Sequence, residues 1–110
     1  METQNHNTKI GLLINAASLR AGSLRKLAKK VHTSPAALIA LRNGERPPHY
    51  KMNGRLKAAA GETPAKAFID AVIEDLAGSE DEAEKEAAAA FIAIRAMLDA
   101  RNNSLTLTQG

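Results

Sequence analysis

Apolar residues recur at helical spacing along most of the chain, and capping residues and glycines divide them into six predicted helices. The first helix is predicted to begin after a cap at Thr8 and to end near Ala21, with Gly22 as a left-handed closing residue. Its predicted buried residues are Leu12, Leu13, Ala16 and Leu19. No segment alternates between apolar and polar residues as a half-buried strand does, so an all-α fold is predicted.

The second and third predicted helices follow closely. Ser23 is predicted to cap the segment LRKLAKKV, whose apolar residues recur at i, i+3, i+4 and i+7: Leu24, Leu27, Ala28 and Val31. Ser34 is predicted to cap the third helix, with Pro35 at the first helical position, where a missing N–H has no cost. Asn43 and Gly44 are predicted to end this helix. His32 takes the turn position between the two helices, where a left-handed conformation is expected.

The prolines at positions 47 and 48 predict a rigid connector before a short fourth helix over residues 50–60. That helix contains Met52, Leu56 and Ala59. A fifth helix is predicted from Thr63 and Pro64 to Gly78. Its predicted buried stripe consists of Phe68, Ile69, Val72, Ile73 and Leu76.

A sixth helix is predicted over residues 79–101, because Ser79 and Glu82 have the spacing of a capping box. Acids at positions 80, 81, 82 and 84 complement the positive end of the helix dipole. One face of this helix is apolar and consists of Ala83, Ala87, Ala90, Phe91, Ile94, Met97 and Leu98. The polar residues 1–7 are predicted to be disordered, and residues 102–110 to form a flexible tail.

Charge is distributed unevenly along the chain. Residues 1–67 hold twelve Lys and Arg against three Asp and Glu, whereas residues 68–110 hold three against nine. This split indicates that a polyanion binds the first part and not the second. Ordinary solvated surface charge is the alternative explanation.

Composition argues against other classes of function. There is no cysteine, and the three histidines, His6, His32 and His49, do not have metal-ligand spacing. No phosphate-binding GK[ST] loop occurs, so neither an enzyme nor a cofactor is predicted. The most apolar segment, residues 87–98, is too short to span a membrane and contains Arg95. The N-terminus lacks the apolar core of a secretion signal, so a cytoplasmic protein is expected.

The segment LRKLAKKVHTSPAALIALRNGERPP, over residues 24–48, resembles the helix-turn-helix of the Cro/cI (XRE) family of DNA-binding proteins, which includes phage repressors. The resemblance implies a five-helix DNA-binding domain over residues 8–77, with an additional long C-terminal helix. It also implies a transcriptional regulator, most simply a repressor in a phage or mobile element, that binds a double-stranded DNA operator.

The resemblance further implies which residues contact DNA. In the family, the start of the third helix enters the major groove while flanking groups bind phosphates. The groove-facing positions are Ser34, Pro35, Ala36, Ile39 and Ala40. The other implied DNA-binding residues are Ser23, Arg25, Thr33, Arg42, Asn43 and Arg46. Because the groove-facing side chains are mostly apolar, we expect contacts to thymine methyl groups and to DNA shape, with phosphates supplying most of the affinity.

Helices five and six are predicted to form a homodimer, which suits a palindromic operator. The predicted dimerisation residues are Phe68, Val72, Phe91, Ile94, Met97 and Leu98. Folding of helix six onto its own chain is the alternative. A second functional hypothesis is an antitoxin or antirepressor-like protein that uses the same fold to bind a protein partner.

Overall fold

A computed structural model describes residues 8–109, with side chains described for residues 8–101. Every regular element in this part of the chain is an α-helix, which confirms the predicted all-α class. The helices are α1 (Lys9–Ala21), α2 (Leu24–Lys30), α3 (Pro35–Arg42), α4 (Tyr50–Ala59), α5 (Pro64–Ala77) and α6 (Glu82–Gln109). The segment 1–7, which was predicted to be disordered, lies outside the described residues.

The first four helices enclose one apolar core. Its buried residues come from each of these helices and are Ile14, Ala17, Leu27, Ala28, Val31, Leu38, Leu41, Leu56 and Ala59. The apolar repeat predicted for the second helix is therefore buried at Leu27, Ala28 and Val31, and Leu24 is partly buried against the same core. Removal of such side chains from water is the main favourable term in folding, so this core holds α1 to α4 together.

The predicted buried face of α1 is wrong at three of its four residues. Leu12 and Ala16 are exposed and Leu19 is 85% exposed, whereas Ile14 and Ala17 are fully buried, and only Leu13 packs against the core as predicted. The chain has apolar residues on two faces of α1, and the sequence pattern alone does not show which one turns inward. The inner face carries Gly11 and Ala17, whose small size allows α1 to approach its neighbours closely.

Helices α4 and α5 pack unusually closely at Gly54. A Cβ atom added at Gly54 would lie 2.4 Å from Cδ1 of Phe68, far inside van der Waals contact. Glycine in the middle of a helix ordinarily destabilises it, which is why Gly54 weakens the sequence pattern of α4. Here the missing side chain leaves room for the Phe68 ring.

Small residues and an ion pair join α5 to α6. Ala67 and Ala71 of α5 are fully buried, and Ala88 of α6 is nearly so. Arg95 Nη1 of α6 donates to Asp70 Oδ1 at 2.9 Å, and Lys66 Nζ donates to Asp70 Oδ2 at 2.8 Å. Helix α6 therefore packs against α5 of its own chain.

The two ends of α6 differ from the prediction. The cap is Asp81 rather than Ser79, because the Glu84 N–H donates to Asp81 Oδ2 at 3.0 Å and Ser79 Oγ accepts from Asp81. A carboxylate at this position satisfies a free backbone donor and opposes the helix dipole. The helix also continues past Arg101 to Gln109. Residues 102–109 contain no proline or glycine that would end it.

Candidate nucleic-acid interface

The turn between α2 and α3 fixes the direction in which α3 leaves the core. His32 has φ 64, so the expected left-handed conformation at this position is confirmed. The Thr33 N–H donates to the Ala28 carbonyl at 2.8 Å, and Ser34 Oγ then accepts from the Ala37 N–H at 3.1 Å. These bonds satisfy backbone groups at the end of α2 and at the start of α3.

The inner surfaces of α2 and α3 seal against each other and against α1. Leu27 and Leu38 are fully buried, and Ala28 is almost fully buried between them and the rest of the core. A small residue at position 28 allows the two helices to approach closely, as the sequence predicts. The opposite side of α3 is therefore the side that a ligand can reach.

The outward side of α3 carries the predicted groove-facing residues. Ser34, Pro35 and Ala36 are exposed, Ile39 is 37% exposed, and Ala40 is half-buried. Its surface is made mostly of carbon, with the Ser34 hydroxyl as the polar group of the first turn. Since Ser34 Oγ already accepts from Ala37, its hydroxyl hydrogen and a second lone pair remain for a ligand.

Arg46 lies close to the start of α3. It lines a shallow depression together with Thr33 and Ala37, beside the connector that leads to α4. The guanidinium is exposed, so it can bind an anion next to the first turn of α3. The structure thus brings together Thr33 and Arg46, two of the residues implied to contact DNA.

Arg42 and Ser23 lie together at a different depression, next to Ser18 and Leu19 of α1. Arg42 Nε and Ser18 Oγ are buried there without a hydrogen-bond partner among the described residues. Burial of Nε means that the Arg42 side chain packs against the protein as well as carrying charge. Arg42 is therefore a poorer choice than Arg46 for testing DNA contacts by substitution.

The remaining implied residues flank this surface. Ser23 caps α2 through a bond from the Lys26 N–H at 3.1 Å, and Arg25 is exposed in the first turn. Asn43 is half-buried at the C-terminal end of α3, where its N–H donates to the Ile39 carbonyl at 2.9 Å. Exposed basic side chains continue along α2 at Lys26, Lys29 and Lys30.

The predicted dimerisation residues divide into two groups. Phe68 packs on Gly54 but is still 37% exposed, so its predicted burial in α5 is wrong, and Val72 and Phe91 are half-buried within the chain. Ile94, Met97 and Leu98 are exposed on α6, with Met97 at 70%. Ile92 is also exposed on this helix, so α6 presents an apolar surface even after it has packed on α5.

The sequence pattern did not predict two acids that hold helices together, the buried Asp70 and the partly exposed Glu74. Asp70 lies three residues after the buried Ala67 and is itself only 7% exposed. Burial raises the pKa of Asp70, but the hydrogen bonds from Lys66 and Arg95 outweigh it and hold this pKa below its usual range. The spacing of Asp70 from Ala67 was a usable signal, because i and i+3 share one face of a helix.

Glu74 holds a second polar cluster. Its carboxylate accepts from Asn53 Nδ2 at 2.9 Å and pairs with Lys57 Nζ at 2.9 Å and Lys9 Nζ at 3.3 Å. Burial raises the pKa of Glu74, and the bonds from Lys57 and Asn53 more than reverse this, so the pKa is lowered. The cluster joins α1, α4 and α5.

Comparisons with protein-family models, curated proteins and solved structures find no match. Within residues 8–109, no helix is long and apolar enough to cross a membrane. The described residues also contain no group of three or more His, Asp or Glu side chains placed to hold a metal ion. The interpretation of this surface therefore depends on its own geometry and on the resemblance of residues 24–48.

Proposed function

We propose that the chain is a sequence-preferring regulator of transcription that binds double-stranded DNA through α3, in the manner of Cro/cI (XRE) helix-turn-helix repressors. It binds an operator as a dimer and represses a phage or mobile-element promoter. The observation that carries this proposal is the pair α2 and α3, sealed at Leu27, Ala28 and Leu38, with the first turn of α3 exposed beside Arg46.

The apolar surface of α3 determines how bases are read. Ala36, Ile39 and Ala40 contact thymine methyl groups in the major groove, and Ser34 supplies a hydrogen bond. Arg25, Arg46 and the lysines of α2 contact phosphates, which supply most of the affinity. Sequence preference is modest, because hydrogen-bond readout is concentrated at one side chain.

A direct test uses duplexes selected from a random-sequence library and fluorescence anisotropy. Ala36→Glu and Ile39→Glu place a carboxylate against the groove and are expected to weaken binding at least about tenfold, since like charges at an interface cost several kcal/mol. Ala96→Glu introduces the same side chain at an exposed position of α6 and serves as the matched control. Equal DNA affinity of all three variants would show that α3 does not contact DNA.

The thymine contacts have their own test. Replacing thymine by uracil in the selected duplex removes only the methyl groups, each worth roughly fourfold in affinity at about 0.8 kcal/mol per buried carbon. Binding that is unchanged by uracil at every position would contradict methyl recognition. Uracil substitution at thymines outside the bases that the protein contacts is the control.

The exposed apolar residues of α6 support the dimer. Met97 and Ile94 lie on the same side of α6 and are exposed, while the exposed Ala96 is directed away from Ile94. Met97→Glu is expected to convert a dimer into a monomer in sedimentation analysis, whereas Ala96→Glu leaves it unchanged. A monomeric wild-type chain at concentrations that saturate DNA would refute the dimer.

The protein-binding hypothesis makes the opposite prediction for the same variants. In an antitoxin or antirepressor, the exposed Ile39 would contact the partner protein. Ile39→Glu would then abolish binding of that partner and leave the affinity for DNA unchanged. The DNA proposal is preferred because exposed cations lie along α2 and Arg46 lies beside the first turn of α3, and clustered exposed cations are the electrostatic footprint of nucleic-acid binding.

A further inference from the structure

A cleft away from the exposed face of α3 lies between α1, α4 and α5. Its volume is about 480 Å³, within the range of roughly 300–1,000 Å³ that small-molecule sites occupy. Ile10, Leu13 and Pro48 form apolar walls, and Lys9, Asn53, Lys57 and Glu74 supply the polar groups. An apolar cleft with a few convergent polar groups is the usual form of a ligand site.

The polar groups are placed at different depths of the cleft. Lys57 is 8% exposed and Asn53 is buried beside it, so both lie at the floor. The Lys9 side chain is 79% exposed and lies at the rim. A buried lysine is uncommon and requires a charged or polar partner, which Glu74 supplies at 2.9 Å.

The charge of this cluster selects the ligand. Two ammonium groups face one carboxylate, so the cluster keeps one uncompensated positive charge. Both Glu74 oxygens already accept bonds, Oε1 from Asn53 and Oε2 from Lys57 and Lys9. An ammonium group has three donors, so Lys57 can bind a further acceptor without giving up Glu74.

From this arrangement we infer that the cleft binds a small monoanionic amphipathic molecule, with its carboxylate between Lys57 and Lys9 and its apolar body against Ile10, Leu13 and Pro48. Pro48 belongs to the connector between α3 and α4, so a bound molecule also contacts the segment that follows α3. The inference does not depend on the proposed DNA binding.

The test uses octanoate as the probe, with octanol and octylammonium as neutral and cationic controls of the same chain length. Binding is followed by NMR chemical-shift changes at the amides of Ile10 and Leu13 and at the Asn53 side-chain amide. Octanoate is expected to bind saturably, with Kd of about 1 mM or tighter, and octylammonium at least about tenfold more weakly. Equal binding of all three probes, or no saturable shifts with octanoate, would overturn the proposal.

A variant pair locates the charge that is responsible. Lys57→Met keeps most of the side-chain length and is expected to weaken octanoate binding about tenfold, the value of one charge-assisted hydrogen bond. Lys66→Met is the matched control, because it breaks an ion pair elsewhere on α5 and leaves the cleft intact. Equal octanoate affinity of these two variants would contradict the assignment. If Lys57→Met does not fold, the comparison of the three probes on the unaltered chain still decides the outcome.

Discussion

The helices α1 to α4 and the pair α5 and α6 are held together in different ways. The first group encloses branched aliphatic side chains such as Ile14, Leu27 and Leu38, all fully buried. The second group buries mainly alanines, together with Ile73 and the carboxylate of Asp70. It also leaves large apolar residues of α6 exposed.

Burial and charge therefore have separate roles in the two regions. In α1 to α4, the buried Lys57 is paired with Glu74, and the exposed charged side chains of α2 lie outside the apolar core, where a polyanion can reach them. In α5 and α6, Arg95 pairs with Asp70 across the two helices, and Lys66 pairs with the same carboxylate within α5. The acidic half of the chain is thus partly structural, whereas the basic face of α2 is free to function in binding.

The largest effect is expected when the aliphatic core is opened. Leu38→Ala removes a fully buried side chain from α3 and is expected to lower the free energy of unfolding by about 2–5 kcal/mol. Leu19→Ala changes the same residue type at a site that is 85% exposed, and should stay within about 0.5 kcal/mol of the unaltered chain. Urea denaturation followed by circular dichroism measures both. Similar losses would mean that the assigned core is wrong.

Breaking the charged link is expected to have a smaller effect. Asp70→Asn removes the anion that Lys66 and Arg95 contact, and should cost about 1–3 kcal/mol because those donors lose a charged partner. Asp75→Asn makes the same change at an exposed position of the same helix and is the control. If the two variants denature at the same urea concentration, the Asp70 cluster does not stabilise the α5–α6 contact.

The close approach of α4 and α5 can be tested at Gly54. Gly54→Ala places a methyl group against Phe68 and is expected to destabilise by about 1–2 kcal/mol, although alanine favours a helix by about 1 kcal/mol. Gly78→Ala meets no atom closer than 3.4 Å and has an ordinary φ of −82, so it should be tolerated. A stabilising effect of Gly54→Ala would show that the ring moves away freely.

Acid should weaken the charged contacts before the apolar core. Asp70 and Glu74 both have pKa values that are lowered from their ordinary values in the folded chain. Their contributions are therefore fully present above the ordinary pKa of each group and are lost as the pH falls through its folded pKa. Asp70→Asn is expected to flatten the decrease in unfolding free energy as the pH falls below the ordinary pKa of an aspartate, and an unchanged slope would contradict this.

Much of the fold follows from local signals in the sequence. Thr8, Ser23 and Ser34 accept bonds from their helices as predicted, and the left-handed Gly22 and His32 lie where the turns require them. These features depend on a few neighbouring residues, so they can be predicted without knowing the rest of the chain. The inward face of α1 could not, because two apolar faces compete and the choice depends on packing against distant helices.

In the candidate interface, too, features that depend on neighbouring residues were predictable and features that depend on distant helices were not. Exposure of Ser34, Pro35 and Ala36 is predictable, since these residues lie opposite the apolar stripe of α3. The burial of Arg42 Nε near Ser18, and the cluster around Glu74, were not predictable. Both arise where α1 meets helices far away in sequence, so neither can be read from neighbouring residues.

The central claim is that the basic face next to α3 binds duplex DNA through its phosphates. The most direct test measures how the binding constant changes with salt concentration. The account predicts that affinity falls with salt, and that Arg25→Gln with Arg46→Gln reduces the log–log slope by up to about 1.8, or about 0.9 for each lost phosphate contact. Lys85→Gln with Arg101→Gln removes the same charge from α6 and should leave the slope unchanged. An affinity that does not change with salt concentration, or identical slopes for the two double variants, would contradict the claim.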